Sequence, residues 1–259
     1  EIPKGFELAE LDNYMISRTK SLQEEIMEDY NNYQFHRAFQ KILNFCTNNL
    51  GGFYLDVLKD RLYTCAQDSQ ARISSQIALN VILESLLRWV SPILCFTAEE
   101  AHKQFKPEDK SVHLLNWYKD WPEPQEGSIS EEDWELVFEI RSEVNKCIEK
   151  ARNSNLIGSS LGAEVQIHCK EKIQKVLSKF KDELRFIFIT SDVNLSNDIN
   201  KGELTDIEDL TISVIKSENK KCERCWHSRP EVGTIEKHET LCSRCVENIE
   251  GGGEIRNFA

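Results

Sequence analysis

Cys222-Glu-Arg-Cys225 and Cys242-Ser-Arg-Cys245 are the two short stretches that decide how the last part of this chain folds. Sixteen residues separate them, which is the spacing of a closed site with four thiolate ligands. Two residues between paired cysteines let both sulfurs reach one metal ion from a tight turn. The sequence therefore predicts one structural zinc ion bound by Cys222, Cys225, Cys242 and Cys245.

The segment around these cysteines, residues 216–259, has too few large apolar side chains to fold without help. Structural zinc supplies an apparent binding energy of roughly 10 to 16 kcal/mol in small finger peptides. The alternatives are a redox pair of dithiols, four unrelated cysteines, or iron in place of zinc. His227 and His238 could replace a thiolate, although a position at the surface or beside the metal is the simpler interpretation.

Length and composition indicate a globular protein of two or three domains, since the chain has 259 residues, 40% of them hydrophobic and 29% charged. No apolar run reaches the roughly 18 residues of a membrane span, and no signal peptide is visible. Cysteines outside the paired motifs, such as Cys46, Cys95 and Cys147, have apolar surroundings typical of buried thiols. This usage predicts a reducing, cytoplasmic location.

The net charge of -12 argues against unselective nucleic-acid binding and against duplex DNA as a partner. Eight of the 32 basic and eight of the 44 acidic residues lie in residues 216–259, which leaves 24 basic and 36 acidic residues in 1–215. The neutral last segment could therefore approach a polyanion, whereas the rest of the chain would repel one unless basic side chains cluster on one face.

Residues 1–155 are predicted to form a bundle of amphipathic helices. One helical stripe consists of Phe35, Ala38, Phe39, Ile42, Leu43 and Cys46. The same spacing recurs in Leu79, Ile82, Leu83, Leu86 and Val90. Pro92 stops this second helix, and Thr97-Ala-Glu-Glu100 predicts a capping box at the start of the next one.

Residues 105–130 are predicted to be a loop, because several residues interrupt any periodicity: Trp117, Trp121, Pro122, Pro124 and Gly127. Ser130-Glu-Glu-Asp133 then caps a long helix that runs to about Asn153. Its predicted buried face consists of Val137, Ile140, Val144, Cys147, Ile148 and Ala151.

Residues 156–215 are predicted to form a small α/β domain, because the period changes from helical to alternating. The first strand carries Val165, Ile167 and Cys169, and a helical stripe follows in Ile173, Val176, Leu177, Phe180 and Leu184. Residues 186–189 and the trio Leu210, Ile212 and Val214 are two further predicted strands. The expected fold class is mainly α: a helical bundle, this small domain, and a zinc-binding domain at 216–259.

A family resemblance is carried by three stretches near the end of the chain: Lys221-Cys-Glu-Arg-Cys-Trp-His227, Cys242-Ser-Arg-Cys-Val246 and Gly253-Glu-Ile-Arg-Asn-Phe-Ala259. Together they resemble the C-terminal zinc finger of bacterial isoleucyl-tRNA synthetases. Landmarks similar to that family's helical anticodon-binding domain precede them: Leu11-Asp-Asn-Tyr-Met-Ile-Ser-Arg18, Tyr54-Leu-Asp-Val-Leu-Lys-Asp-Arg-Leu-Tyr63 and Ser91-Pro-Ile-Leu-Cys-Phe-Thr-Ala-Glu-Glu100. Valyl and leucyl relatives share parts of these landmarks, so the zinc segment singles out the isoleucyl enzymes.

The resemblance implies the C-terminal part of isoleucine-tRNA ligase, an enzyme that attaches isoleucine to its tRNA using ATP. Signatures of the His-Ile-Gly-His and Lys-Met-Ser-Lys-Ser kind are absent, and so is a Gly-rich phosphate loop. ATP and Mg²⁺ are therefore expected only in a catalytic domain that this chain lacks. We expect a monomer that binds isoleucine tRNA and has no aminoacylation activity alone.

Unpaired anticodon bases are read by stacking on aromatic or guanidinium planes and by hydrogen bonds to their edges. Trp226 is the candidate stacking residue, and the alternative is that its ring covers the metal site as local core. The candidate phosphate contacts are Lys220, Lys221, Arg224 and Arg229 near it, and Arg18, Lys20, Arg37, Arg61 and Arg72 on the bundle. For each basic residue alone, a solvated surface charge is the simpler interpretation. Asp60 is expected to belong to an internal ion-pair network.

Two other functions fit parts of the sequence. A DNA-repair glycosylase has a finger of the same cysteine spacing, but it needs an N-terminal Pro-Glu, whereas this chain begins Glu1-Ile-Pro3 and has the wrong net charge for duplex DNA. A zinc-stabilised module that binds another protein suits the acidic composition. Binding to tRNA and to duplex DNA, compared at several salt concentrations, separates the three hypotheses.

Overall fold

The computed structural model describes residues 6–123, 125 and 127–259. The chain divides into two compact units: unit 1 is Glu1–Leu58 with Ile73–Glu126, and unit 2 is Lys59–Arg72 with Gly127–Ala259. Pro124 of the predicted loop and the Glu1-Ile-Pro3 start lie outside the described residues. The three-domain division at 155 and 215 stays a prediction.

The first half of the chain is helical, as its periodicity predicts. Its helices are α1 (Glu10–Asn31), α2 (Phe35–Asn44), α3 (Leu55–Thr64), α4 (Gln70–Val90) and α5 (Cys95–Phe105). A π-helical stretch, Phe45–Tyr54, joins α2 to α3 without a break. A Cβ atom at Gly51 or Gly52 would lie 3.2 or 3.1 Å from the carbonyl oxygen five residues earlier, so glycine suits this unusual backbone.

The core of unit 1 combines apolar packing with a few satisfied polar groups. The Trp89 ring lies 5.8 Å from the Phe45 ring, and its Nε1 donates to Gln23 Oε1 at 3.1 Å. Tyr54 Oη donates to the buried Asp12 carboxylate at 2.7 Å. Each of these buried polar atoms has a partner, which avoids the cost of leaving a buried donor or acceptor unsatisfied.

The predicted apolar stripe of α2 is only partly buried. Its Ala38 and Ile42 lie in the core, whereas Phe35, Phe39 and Leu43 are exposed, Phe35 by 51%. Helical spacing shows that residues share a face, but it does not show how much of that face another element covers. The predicted spacing of the stripe is therefore right, although other elements cover only part of this face.

Near Pro92, the predicted end of one helix is right and the predicted start of the next helix is wrong. Helix α4 ends at Val90, as a following proline requires. The predicted capping box at Thr97 is wrong, because α5 already begins at Cys95 and has no side-chain cap. The residue before the predicted Glu100, Glu99, accepts hydrogen bonds from Ser111 Oγ at 2.8 Å and from the Val112 amide at 3.0 Å.

Unit 2 is built on a four-stranded sheet and a long helix. Its elements are α6 (Glu131–Asn153), β1 (Ala163–Cys169), α7 (Glu171–Ser178), α8 (Leu184–Phe188), β2 (Asp192–Ser196), β3 (Glu203–Leu204), β4 (Leu210–Lys216) and α9 (Ser243–Glu250). The strand order is β2-β1-β4-β3, with β1 parallel to β2 and antiparallel to β4. The predicted cap of α6 at Ser130 is confirmed and forms a capping box with Asp133. The predicted buried face of α6 is also confirmed, as are the strands predicted at β1 and β4.

The strand predicted at residues 186–189 is wrong, because these residues lie in or just after helix α8. A short run of apolar residues suits a buried helix as well as a buried strand. Ile189 ends the helix with a left-handed backbone, φ = 55°. The strand after it, β2, was missed because Asp192–Ser196 contains only two apolar residues.

The last residues of the chain are anchored by one carboxylate. Glu183 is buried and accepts hydrogen bonds from the backbone amides of Asn257, Phe258 and Ala259, each at 2.9 Å. The Phe258 ring lies 5.6 Å from the Phe180 ring. The chain therefore returns from the zinc segment to the body of unit 2.

The predicted fold class, mainly α with a small sheet and a four-cysteine segment, is confirmed. Every helix among the described residues falls short of the length and apolarity needed to cross a bilayer.

Candidate metal centre and nucleic-acid interface

Four cysteine side chains converge at one point in unit 2. The sulfurs of Cys222, Cys225, Cys242 and Cys245 all lie within 4.8 Å of one another, and all four residues are buried. The Cys225 and Cys242 sulfurs are 3.6 Å apart, far longer than a disulfide bond. Tetrahedral zinc with Zn–S bonds of about 2.3 Å places its sulfurs roughly 3.8 Å apart, so the cluster fits zinc.

Each pair of cysteines occupies its own turn. The first zinc turn, residues 222–225, is closed by the Cys222 amide, which donates to His227 O at 2.9 Å, and by the Trp226 amide, which donates to Cys222 O at 2.9 Å. The second zinc turn, residues 242–245, forms the start of α9, with Cys242 at the N-cap. The Cys242 amide points at Cys222 Sγ, 3.4 Å away, so the backbone of one turn contacts a ligand of the other.

The four thiolates complete a closed site, so neither predicted histidine alternative is needed. His227 is buried beside the first zinc turn, and its ring packs edge-on against Phe186 with 5.6 Å between centroids. His238 lies 2.9 Å from Glu250 Oε1 through its Nε2 atom. Four cysteine ligands leave no open position for substrate, and the chemistry of the donor set is that of structural zinc.

Trp226 lies at the surface, directly after the first zinc turn. Its side chain is 58% exposed, and its backbone has φ = 67°. Bulky residues rarely adopt this left-handed region, which costs on the order of 1–3 kcal/mol. Lys221 Nζ lies 5.0 Å from the centroid of the ring. The ring is therefore held out of the local core, with a positive charge beside it.

Both zinc turns contact the last turn of α3, which belongs to unit 2. Arg224 Nη1 donates to the backbone oxygen of Thr64. Arg244 donates to both carboxylate oxygens of Asp60, each at 2.8 Å, and to Thr64 Oγ1 at 3.3 Å. Carbonyl groups at the end of a helix lack partners within the helix and carry partial negative charge, so arginine suits this position.

A balanced cluster of two arginines and two carboxylates lies behind these contacts. Arg256 is only 1% exposed and binds Asp60 and Glu254, while Arg244 also reaches Glu254 at 2.9 Å. Burial acts to raise the pKa of Asp60, but Arg256 and Arg244 outweigh burial and hold that pKa well below its usual range. The same two arginines lower the pKa of Glu254 against the effect of burial. Asp60 is thus part of an internal ion-pair network, as predicted.

Cys65, directly after α3, is a buried thiol outside the zinc site. Burial, together with the neighbouring Glu254 carboxylate, raises the pKa of Cys65 to about 12. The thiol therefore stays protonated at neutral pH and donates to Glu254 Oε1 at 3.2 Å. It contributes a hydrogen bond and no metal ligand.

Comparison with known proteins identifies the family. Residues 12–167, more than half of the chain, match the model of the anticodon-binding domain of tRNA ligase. The chain belongs to this anticodon-binding family. Residues 219–248 match a second model, the zinc finger found in FPG and IleRS, which contains all four cysteine ligands. The match and the four-sulfur cluster together show a structural zinc site.

Several isoleucine–tRNA ligases are similar to nearly the whole anticodon-binding chain. Those of Shewanella pealeana, Acinetobacter baylyi and Dichelobacter nodosus are 44%, 42% and 45% identical, over 98%, 98% and 97% of the chain. The chain spans only 26–27% of the length of these relatives. The resemblance inferred from the sequence is confirmed, and the comparisons support neither the glycosylase nor the protein-interaction alternative.

The candidate RNA-contact residues of this anticodon-binding chain occupy different environments. Trp226, Lys220 and Lys221 are exposed. Arg229 is half-buried and donates to Ser191 O at 3.2 Å. Arg18 and Arg37, in unit 1, pair with Glu25 and Asp29 at 3.4 and 3.5 Å. Lys20 is exposed on α1, and Arg72 is half-buried at the start of α4.

Arg61 is a correction to the predicted set. Its side chain is 0% exposed, and its Nη1 donates to Ala71 O at 3.3 Å. The sequence run Lys59-Asp60-Arg61 does not show which side of α3 faces the interior, so the sequence was compatible with a phosphate contact at the surface. A phosphate cannot reach a buried guanidinium without local unfolding, so Arg61 has a structural role.

Sequence reasoning missed Arg244, Glu254 and Arg256. Arg256 and Glu254 lie within the stretch that carries the family resemblance, but nothing in their spacing indicates burial. A usable signal existed for Arg244, because both Cys-x-x-Cys pairs have arginine immediately before the second cysteine.

Proposed function

We propose that this chain is the anticodon-recognition part of an isoleucine–tRNA ligase. The match to the anticodon-binding domain and the isoleucine–tRNA ligase relatives support this proposal. Because the chain spans about a quarter of those relatives, amino-acid activation and transfer, with the ATP and Mg²⁺ that they use, are assigned to the remaining part of the protein. The chain alone then binds tRNA and does not aminoacylate it.

One observation carries the proposal: the exposed ring of Trp226 beside a zinc-stabilised turn. An unpaired base stacked on an aromatic side chain contributes about 1–3 kcal/mol of binding free energy. The neighbouring Lys221 supplies a positive charge next to the ring, where the phosphate of a stacked nucleotide can approach. A strained backbone at an exposed tryptophan supports a binding role more than a packing role.

The remaining basic candidates are assigned to phosphate contacts. They are Lys220, Lys221 and Arg229 near Trp226, and Arg18, Lys20, Arg37 and Arg72 in the helical part. Phosphate contacts position an RNA and make its affinity fall with salt, whereas base contacts discriminate between sequences. The net charge of -12 supports selective binding over binding to any polyanion.

A binding comparison tests the proposed function. The zinc-loaded chain is titrated with the anticodon stem-loop of isoleucine tRNA and with the same stem-loop carrying one substituted anticodon base. We expect the substituted RNA to bind more weakly by about 1–3 kcal/mol for each lost base contact. Equal affinity for both, or equal affinity for a DNA duplex of the same length, would reject the proposal.

The proposal includes a monomeric protein in the cytoplasm, with no role for duplex DNA. All nine cysteines lie among the described residues, and none of them forms a disulfide, which supports a reducing compartment. Sedimentation of the purified chain at several concentrations tests the monomer, because a dimer would change its apparent mass with dilution.

A further inference from the structure

The two zinc turns hold the same helix end with equivalent residues. Arg224 immediately precedes Cys225, and Arg244 immediately precedes Cys245. Arg224 reaches the Thr64 carbonyl, and Arg244 reaches the Asp60 carboxylate one turn earlier in α3. Each turn therefore binds zinc with its cysteines and the end of α3 with its arginine.

These contacts are protected from solvent and geometrically specific. The side chains of Asp60 and Arg244 are only 16% and 12% exposed. The planar guanidinium of arginine matches a carboxylate through two parallel hydrogen bonds, which a lysine cannot reproduce. Thr64 Oγ1, which accepts a hydrogen bond from Arg244, itself donates to Asp60 O at 2.7 Å, so the helix fixes this acceptor.

The backbone of Trp226 is connected to this arrangement. It lies two residues after Arg224, and its amide is bonded to Cys222 O inside the first zinc turn. The shared zinc ion, together with the contact of the Cys242 amide with Cys222 Sγ, fixes the two turns relative to each other. The arginine contacts fix both turns relative to the last turn of α3, and with them the place from which the Trp226 ring is presented.

We propose that Asp60 is a positioning residue for RNA recognition, acting through Arg244 on the zinc turns, and that Arg224 shares this role through the Thr64 carbonyl. This inference rests on the proposed function, because it takes RNA as the ligand of Trp226. It reassigns Arg224 from a phosphate contact to a contact within the protein.

Asp60→Asn tests this proposal, because a positioning role and simple electrostatics predict opposite changes in RNA affinity. Removing one negative charge from an RNA-binding protein strengthens its attraction to phosphates, so electrostatics alone predicts tighter binding. Loss of positioning predicts the opposite: affinity for the native stem-loop falls about tenfold, within the range of one lost stacked base. The ratio of the affinity for the native stem-loop to the affinity for the stem-loop with a substituted anticodon base also falls. The zinc content stays at one ion per chain.

Asp206→Asn is the matched control, because it removes the same charge from unit 2 at a side chain that is 83% exposed. We expect it to leave the affinity ratio unchanged. If Asp60→Asn binds both stem-loops as the wild type does, the inference is overturned and the proposed function survives. If the wild type itself does not distinguish the stem-loops, the proposed function fails instead.

Arg224→Gln decides the question if Asp60→Asn does not fold, since it leaves the Asp60 cluster intact. A positioning role lowers the affinity ratio roughly fivefold and keeps the salt dependence of binding, because no phosphate contact is lost. The alternative result is a slope of log affinity against log salt concentration that falls by about one, with an unchanged ratio of affinities for the native and substituted stem-loops. That result would make Arg224 a phosphate contact and overturn the inference.

Discussion

Arg244 and Asp60 form a bidentate ion pair, in which Nη1 and Nη2 of Arg244 each donate to one carboxylate oxygen of Asp60 at 2.8 Å. The partners are 184 residues apart in the chain. One belongs to a zinc turn and the other to the end of a helix, so the pair connects the metal site to the rest of unit 2.

The acid sensitivity of this ion pair can be predicted from the pKa of Asp60. Because that pKa is lowered in the folded state, the ionised carboxylate stabilises the fold above the pKa of the unfolded chain, about 3.9. The contribution is lost as the pH falls below about 4 toward the folded pKa. We expect the free energy of unfolding in urea, measured from pH 7 to pH 3, to fall in the acid range.

The same pH series on Asp60→Asn isolates the contribution of Asp60. At pH 7 this variant should be less stable by about 3–5 kcal/mol, because it leaves a buried arginine without its full partner. Its stability should also fall less steeply below pH 4, although zinc release in acid affects both proteins. Parallel curves for the two proteins would contradict the assignment.

Cys222→Ser should remove the zinc ion and the order of the zinc segment. Loss of one thiolate opens the closed site, and the segment has little apolar core of its own. Metal analysis and limited proteolysis check this, with cleavage expected within residues 216–259. Cys95→Ser, at a thiol that is exposed although its apolar neighbours in the sequence suggested burial, should keep one zinc ion and resist cleavage. Full zinc content in Cys222→Ser would refute the ligand set.

Trp226→Ala should weaken binding of the anticodon stem-loop by about 1–3 kcal/mol, the value of one stacked base. Its melting temperature should hardly change, because the ring is mostly exposed. Trp226→Phe should restore part of the affinity. Tyr63→Ala removes another exposed aromatic ring of unit 2 and should bind as the wild type does. A large drop in melting temperature for Trp226→Ala would favour the alternative that the ring is local core.

Glu183→Gln should loosen the last residues of the chain. A carboxylate that accepts three amide hydrogen bonds loses its charge, and each hydrogen bond to a charged group contributes about 1.5–3 kcal/mol. We expect faster hydrogen exchange at the amides of residues 257–259. Exchange in α6 should stay slow, and a uniform increase across unit 2 would instead indicate global destabilisation.

Local signals in the sequence predicted the parts of the fold that depend on local pattern. The paired cysteines gave the metal ligands, Ser130 and Asp133 gave the start of α6, and alternating residues gave β1 and β4. Each of these features depends on residues within a few positions of one another, or on a spacing with a single common meaning.

The parts that sequence reasoning missed depend on distant contacts. Nothing near Asp60 indicates that Arg244 and Arg256 will approach it, and nothing near Arg61 indicates complete burial. Residues 186–188 lie in helix α8 and Ile189 follows it, because a short apolar run does not by itself distinguish a buried helix from a buried strand. The exposure of Trp226 likewise needed the structure, since a small zinc segment can place such a ring inside or outside.

The segment Lys59–Arg72 belongs to unit 2 although its neighbours on both sides belong to unit 1. A shortened polypeptide that starts at Gly127 would keep all four sulfur ligands and Trp226 but would lose Asp60 and Thr64. A fragment cut at Gly127 would therefore bind zinc, but Arg224 and Arg244 would lack their hydrogen-bond partners on α3. A recombinant fragment of unit 2 must therefore include the segment Lys59–Arg72.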